Sequence, residues 1–486
     1  MSLSYGRGKE FIDRTGTKAA AAGDTVVVSA GNVQADALVG FRKPFQVYLF
    51  FRVESAALCR EALKKIIPHV STAEQVWLFN RSYSASKLRL GTAELTMTAT
   101  WLNIGFTSAG LAALGPIDFA IFRDSSFRAG AWRRHVANAD HTMKFGDSEQ
   151  TEPHIVIVIA SDTADEVEKL EHFVTDTLVG ARQLWREATV KDPENKGTFG
   201  FRDGISMSLI SCKIEIGDSQ TVDLEPAKKM EGASELIGVD QLLLGYGEKE
   251  PSMTGAQSLV ADGTFCVYRR YVVHNQEFFD ELDRAAEHLR TQHSLSDIVD
   301  GRYLAAQIIG RWPNGAFVGG AGIHRYMRAG PDESITFTGD AAGTTPNCPY
   351  ASHIRQANPR NDIPSGSRVS IVRRGRPFSV RSGESTETGL MFVSYQASIE
   401  NQFEKILYQW MDDPNFPCDG AGHDLLAGTN QVGGRTRVIS LWLPTAAGSL
   451  VQTELQIESQ FTTLDGACYA FIPSIKFLTE LVEKVK

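Results

Sequence analysis

Four short apolar runs, each followed by a segment of helical periodicity, constrain this chain more than any other feature. PFQVYLFFRV (44–53) precedes ALCREALKKIIPHV, and HIVIVIA (154–160) precedes DEVEKLEHFVTDTLVGARQLW. TFCVYRRYVV (264–273) precedes QEFFDELDRAAEHLRTQ, and GLMFVSYQ (389–396) precedes ASIENQFEKILYQWM. Runs of this length rich in Val, Ile, Phe and Tyr read as strands, and the segments behind them repeat apolar residues at helical spacing. Strand-then-helix thus occurs as two pairs with long insertions between the members of each pair. Two split β-α-β units have this arrangement, so the expected class is α+β, with duplicated ferredoxin-like halves of antiparallel sheet and helices. Residues 1–40, rich in Ala, Gly and polar side chains, read as an N-terminal arm, 41–200 as the first half and 201–486 as the second. The insertions are rich in Gly and Pro, above all 310–388. Long loops of that kind usually carry function.

Charge and composition exclude several classes. A net charge of −9 argues against generic binding to nucleic acid or to an anionic membrane surface. No stretch approaches the roughly 18 to 20 apolar residues of a membrane helix. The opening MSLSYGRGKEFIDRTGTKAAAAGD has no apolar core of a secretory signal, so the expected location is cytoplasmic. A secreted chain trimmed of its signal would read the same. Cys59, Cys212, Cys266, Cys348, Cys418 and Cys468 include no C-x-x-C pair and suit neither a metal spacing nor a disulfide scaffold. They read as small buried hydrophobes.

Three loop segments have both a bland and a chemical reading. FGFRDGIS (199–206) is either an Asp-Gly turn or a buried acid, Asp203, set among glycines that let backbone approach a ligand. VSIVRRGRPFSV (369–380) is either an exposed basic strand with a turn or a strand with one arginine aimed inward. CPYASHIRQANPR (348–360) is either a solvated basic turn or a ligating histidine, His353, beside guanidinium groups that hold an anion.

Taken in order, Gly200-Phe201-Arg202-Asp203-Gly204, GRWPNGAFV (310–318), CPYASHIRQANPR, SIVRRGRPF and GLMFVSYQASIENQFEKI resemble the dye-decolorizing peroxidases. These are haem peroxidases of two ferredoxin-like halves, and the long insertions are similar to those of the larger subclass. The likeness runs from VQADALVGFRKPFQVYLFF (33–51) to the last helices and includes WLNIGFTSAGLAALG (101–115) and LLLGYG (242–247).

The resemblance implies one haem b per chain, in the C-terminal half, with hydrogen peroxide and a bulky aromatic reductant (dyes, phenols, lignin-like compounds) as partners. A ferryl intermediate, no nucleic acid, no membrane and a possible homo-oligomer belong to the same expectation. His353 matches the axial iron ligand, binding through a neutral imidazole nitrogen. Asp203 matches the acid that moves peroxide's proton, with Gly204 beside it. Arg373 matches the distal arginine through I-x-R-x-G-x-P-F. Arg374 is its neighbour, and a one-residue slip on a strand turns a side chain to the other face. Arg360 would face the haem propionates, and Arg355 is a candidate for a similar role. Leu390 and Phe392, two apart on one strand face, match an apolar lid over the peroxide site. A ligating histidine donates its other N–H to an acid or a carbonyl. Glu400 is the side-chain candidate, and a backbone carbonyl is the alternative. An aspartate base, with an ordinary pKa near ~3.9 against ~6.5 for histidine, fits chemistry in acid solution. Trp312 and Tyr350 read as core packing before radical sites. A haem- or porphyrin-handling protein on the same fold and a haem-free binding module are the competing readings.

Overall fold

The computed structural model describes residues 26–91, 97–115, 117–134, 142–217, 220–225, 236–247, 255–319, 331, 335–337, 345–383, 385–428 and 437–483. The first half contributes strands β1 (Phe45–Val53), β2 (Thr100–Phe106), β3 (Ile155–Ser161) and β4 (Ala181–Val190), hydrogen-bonded in the order β2-β3-β1-β4. The second contributes β5 (Thr264–Val273), β6 (Arg376–Ser382), β7 (Ser385–Gln396) and β8 (Thr462–Ile472), in the order β6-β7-β5-β8. Each half is antiparallel and keeps the same spatial order, second-third-first-fourth, which is the split β-α-β arrangement expected. A pairing of Phe471 with Phe106 joins β8 to β2, so the halves form one continuous sheet.

Both faces of that sheet are covered, which is why its central strands are mainly apolar on both sides rather than alternating. On β1, Val47, Leu49 and Phe51 enter one core with helices Ala56–Ile66 and Ala164–Thr177 and the helical turns Ile399–Phe403 and Lys405–Met411. Tyr48 and Phe50 enter the opposite core, which includes Met391, Val393 and Tyr395 of β7. Helices Asn275–His293 and Gly301–Ile309 pack with the hairpin Arg437–Pro444/Leu450–Ile457 in a third cluster. A buried ionic network spans the halves: Arg270 of β5 reaches Glu187 of β4 at 2.5 Å and also bonds Asp465 and Glu387.

Two expectations need correction. The helix after β3 ends at Thr177, and Ala181–Val190 is a strand, not its continuation. Gly180 makes the break, with φ of 87°; a Cβ there would lie 2.6 Å from that of Leu58. The described part of the supposed arm is core. Val27–Ser29 pairs in parallel with Lys213–Ile216, while Val28, Val33, Ala35 and Leu38 are buried. Residues 1–25 of the arm lie outside the described residues. Five of the six cysteines are buried and Cys418 is half-buried, all as free thiols. Among the described residues no helix is long and apolar enough to cross a membrane.

Candidate active site

His353 opens a five-residue helix, His353–Ala357, held from several sides. Gln356 Nε2 donates to Gly422 O at 2.6 Å and to Phe416 O at 3.3 Å, tying the helix to the loop 412–428. Gly310, with φ of 91° at the end of helix Gly301–Ile309, lets that helix touch Ile354; a Cβ there would sit 2.4 Å from Ile354 Cγ1. This is the physical need for the glycine of GRWPNGAFV.

The imidazole is fixed by an acid that the sequence reading missed. His353 Nδ1 lies 2.7 Å from Oδ2 of Asp424, whose side chain is fully buried. The other oxygen, Oδ1, accepts N–H bonds from Leu426 and Ala427, both at 2.8 Å. Burial alone would raise the Asp424 pKa. The charge and hydrogen bond of His353, with the two backbone donors, outweigh that and hold it below the ordinary value. The expected partner, Glu400, is elsewhere: it is exposed and accepts from Ser125 Oγ at 2.6 Å. Asp424 is 71 residues from His353 in a loop without periodicity, so no pattern pointed to it.

Arg355 also departs from expectation. Its guanidinium grips Asp362 through Nε at 2.6 Å and Nη2 at 2.9 Å, and Nη1 donates to Cys348 O at 2.6 Å. It is fully buried above the Tyr350 ring, with its centre 4.1 Å from the centroid. It is a strut that closes the 348–362 loop on itself, with Asp362 in the place of the expected carboxylate partner.

The other motifs converge on Ser206, at the end of FGFRDGIS. Arg311 Nη2 donates to Ser206 Oγ at 2.7 Å, Arg360 Nη2 approaches the same oxygen at 3.4 Å, and Arg373 Nη2 donates to Ser206 O at 3.3 Å. Three guanidinium groups from three different motifs thus meet at one residue. Ser206 holds a left-handed φ of 54° and Arg360 one of 47°, conformations that cost energy for residues other than glycine and concentrate at functional sites. Arg311 lies inside GRWPNGAFV, yet only its convergence with the others reveals a role. It also donates through Nη1 to Gly315 O at 2.7 Å, and Arg202 N bonds Pro313 O at 2.9 Å, so the two motifs are stitched together.

Asp203 is exposed and not the buried acid expected: it lies three residues before Ser206, in the Asp-Gly turn, where its Oδ1 accepts the Gly204 N–H at 2.6 Å. Gly204 has φ of 77° and open space around it. Arg373 and Arg374 leave their strand on opposite faces: Arg373, expected to be the inward one, is exposed and turns to Ser206, whereas the half-buried Arg374 turns to the carbonyl of Asp36 at 3.0 Å. Leu390 and Phe392 lie on one face of β7, half-buried, opposite Tyr271 and Arg269 of β5. The Phe392 ring packs 5.9 Å from that of Phe403. Trp312 is buried against Tyr303, and Tyr350 packs between Arg355 and Trp442.

One fold of two fused ferredoxin-like halves thus carries a histidine held by a buried acid and a cluster of arginines beside an Asp-Gly turn. The chain belongs to the dye-decolorizing peroxidase family: the model of the DyP dimeric alpha+beta barrel domain matches residues 32–186 and that of the Dyp-type peroxidase C-terminal domain residues 248–435. It is accordingly an oxidoreductase that uses peroxide. The dye-decolorizing peroxidase msp1 of Mycetinis scorodonius is 27% identical over 491 residues, covering 94% of this chain and 88% of the relative. A dye-decolorizing peroxidase of Auricularia auricula-judae is 26% identical over 482 residues, covering 92% and 86%. A solved structure of a DyP-type peroxidase from that fungus superposes with a TM-score of 0.69 at 25% identity, over 94% of this chain and 99% of its own. A variant of the Pleurotus ostreatus dye-decolorizing peroxidase superposes with a TM-score of 0.75 at 23% identity over the same shares, a likeness of fold.

Proposed function

We propose that this peroxidase holds one haem b on His353 and oxidises bulky aromatic donors such as dyes, phenols and lignin-like compounds. The His353–Asp424 pair is the observation that carries the reading. With Nδ1 engaged by a buried carboxylate, Nε2 is the nitrogen left for iron, and the His353 side chain remains 30% exposed. Haem also brings two carboxylates, and the cations gathered at Ser206 suit them: Arg360 and Arg311 by their fork geometry. The donor set therefore fits the group. When bound, haem supplies the redox chemistry, accepting two oxidising equivalents from peroxide and passing them to donors.

The residues of the chain do the rest. Asp424 holds the His353 tautomer and raises the basicity of the ligating nitrogen. Asp203 takes a proton from the near oxygen of hydrogen peroxide and returns it to the oxygen that leaves as water. Arg373 stabilises negative charge as the O–O bond breaks. Leu390 and Phe392 keep the peroxide site small and apolar, so bulky donors give up electrons from outside it. A homo-oligomer belongs to the same reading, supported by the dimeric description of the matched N-terminal domain.

Peroxide-dependent bleaching of an anthraquinone dye by the haem-loaded protein tests the proposal. Asp203→Asn is expected to slow the peroxide step by about 10² to 10⁴-fold. A protein that takes up no haem on reconstitution would overturn the reading. An Asp203→Asn variant with the wild-type rate would remove Asp203 from it.

A further inference from the structure

Arg373 sits on a two-residue strand, Val372–Arg373, at the edge of the sheet. Its ladder is short: Val372 opposes Tyr395 and Arg373 opposes Ser394, after which Arg374 N bonds Val393 O at 2.8 Å and β6 begins at Arg376. Such a short edge segment specifies its own register weakly, and a shift of one residue would send the Arg373 side chain to the opposite face. Something behind it has to hold it.

A buried carboxylate, 337 positions earlier in the chain, stands behind that segment. Asp36 is 2% exposed, in the core on the far side of the sheet. Its Oδ2 accepts the hydroxyl of Tyr395, the cross-strand neighbour of Val372, at 2.7 Å. Its Oδ1 accepts the N–H of Phe41 at 2.8 Å and so closes the turn 36–41. That turn presents two carbonyls to the two arginines that follow Arg373. Asp36 O accepts Arg374 Nε at 3.0 Å, and Phe41 O accepts Arg376 Nη2 at 2.8 Å. Gly40, with φ of 83°, clears the way for the first: a Cβ there would come within 2.8 Å of Arg374 Nε. Burying a carboxylate is costly, and its position is explained by these contacts rather than by any part in the peroxide chemistry.

We propose that Asp36 is a positioning residue for Arg373, holding the 372–376 segment from behind so that the guanidinium meets Ser206. Arg373 reaches the Ser206 carbonyl at 3.3 Å, a contact with little tolerance for movement of the strand. The inference rests on the role given above to Arg373. It names no new substrate contact, since Asp36 touches Arg373 only through its neighbours.

The test compares Asp36→Ala, Arg373→Leu, their double variant, Tyr395→Phe and a control, Gln34→Ala. Gln34 is equally buried in the same N-terminal segment, but it bonds Ile104 and Pro473 and not the 372–376 segment. Each protein is loaded with haem, and two quantities are read: the rate of its spectral change on mixing with hydrogen peroxide, and its affinity for fluoride. A misplacement of about 1 Å can cost 10²-fold, so Asp36→Ala should slow the peroxide step by at least about tenfold and weaken fluoride binding in parallel with Arg373→Leu. The double variant should be no slower than Arg373→Leu alone, because both changes remove the same interaction. Gln34→Ala should keep the wild-type rate and fluoride affinity whatever it does to stability. If Asp36→Ala does not fold, Tyr395→Phe, which removes one hydroxyl from the clamp, should still move both readouts in the same direction.

Wild-type rate and fluoride affinity in a folded Asp36→Ala or Tyr395→Phe protein would overturn the proposal. So would a double variant whose defects multiply. If Arg373→Leu itself behaves as wild type, the role of Arg373 falls and the clamp falls with it. If Arg373→Leu is slow and Asp36→Ala is not, only the clamp falls.

Discussion

Replacing Asp424 with Asn should damage haem binding more than loss of one charge would indicate, because the surrounding backbone dictates how the new amide sits. Oδ1 of Asp424 receives two N–H groups, from Leu426 and Ala427, and Oδ2 receives one, from His353. An Asn side chain has only one acceptor oxygen. Turning its NH2 toward the two backbone donors would sacrifice two hydrogen bonds, whereas turning it toward His353 sacrifices one. The oxygen therefore stays with Leu426 and Ala427, and the NH2 faces Nδ1. Nδ1 must then accept, the ring proton moves to Nε2, and the nitrogen meant for iron is blocked. Loss of a metal ligand's hydrogen-bond partner typically costs 10 to 100-fold in affinity, and the tautomer reversal puts Asp424→Asn at the upper end, about 100-fold or about 2.7 kcal/mol. Asp424→Ala, which imposes no tautomer, should fall nearer tenfold. Haem titration of the two variants, followed by absorbance, decides the matter. Equal affinity for Asp424→Asn and wild type, or a greater loss for Ala than for Asn in proteins of equal stability, would refute the reasoning.

Other consequences can be measured directly. Arg355→Leu removes both guanidinium bonds to the buried Asp362 carboxylate, and breaking a buried ion pair from one side is strongly destabilising, so chemical denaturation should show a loss of about 3 to 5 kcal/mol; a change under 1 kcal/mol would mean the strut is dispensable. Arg311→Leu should raise the haem dissociation constant without changing the rate of the peroxide step per bound haem, a split that equilibrium titration and stopped-flow mixing separate. His154 is buried near the Arg52 guanidinium, and burial followed by that charge pushes its pKa down to about 4. The unfolded chain takes up this proton near pH ~6.5, so stability is full above that value and falls as pH drops toward about 4, by at most about 1.4 kcal/mol per unit. Denaturation at several pH values should show a shallower acid loss in His154→Gln; an unchanged slope would exclude His154 as the cause.

The parts of this protein that were legible in its sequence are those whose signal is local. Val47 to Phe51 and Ile155 to Ile159 announce buried strands because both faces of the sheet are covered and nothing polar interrupts them, and Phe265 to Val273 still reads as one although Arg269 and Arg270 interrupt its apolar run. Ala181–Val190 was hidden because its residues prolong the apolar spacing of the preceding helix, and only the backbone demand at Gly180 ends that helix. At the site, His353, Asp203 and Arg373 stand in motifs with a recognisable order. Asp424 does not, since its carboxylate meets His353 through folding of a loop with no period. Arg355 misled for the opposite reason: next to the histidine in sequence, its guanidinium is consumed by Asp362, seven residues on. Arg311 and Ser206 gain meaning only when three distant segments close on one another. Asp36 looks like an unremarkable helix residue until Tyr395, Arg374 and Arg376 are seen to depend on the turn it closes.

His353, oriented by Asp424, is the proposed axial ligand of a haem that reacts with peroxide. The most direct measurement is the absorbance spectrum of the reconstituted protein before and after one equivalent of hydrogen peroxide, for wild type and His353→Ala side by side. The wild type is expected to hold one haem per chain, with a Soret band that shifts on adding peroxide, and His353→Ala either to lose haem or to hold a haem that no longer gives that shift. A His353→Ala protein with full haem content and the wild-type response to peroxide would contradict it.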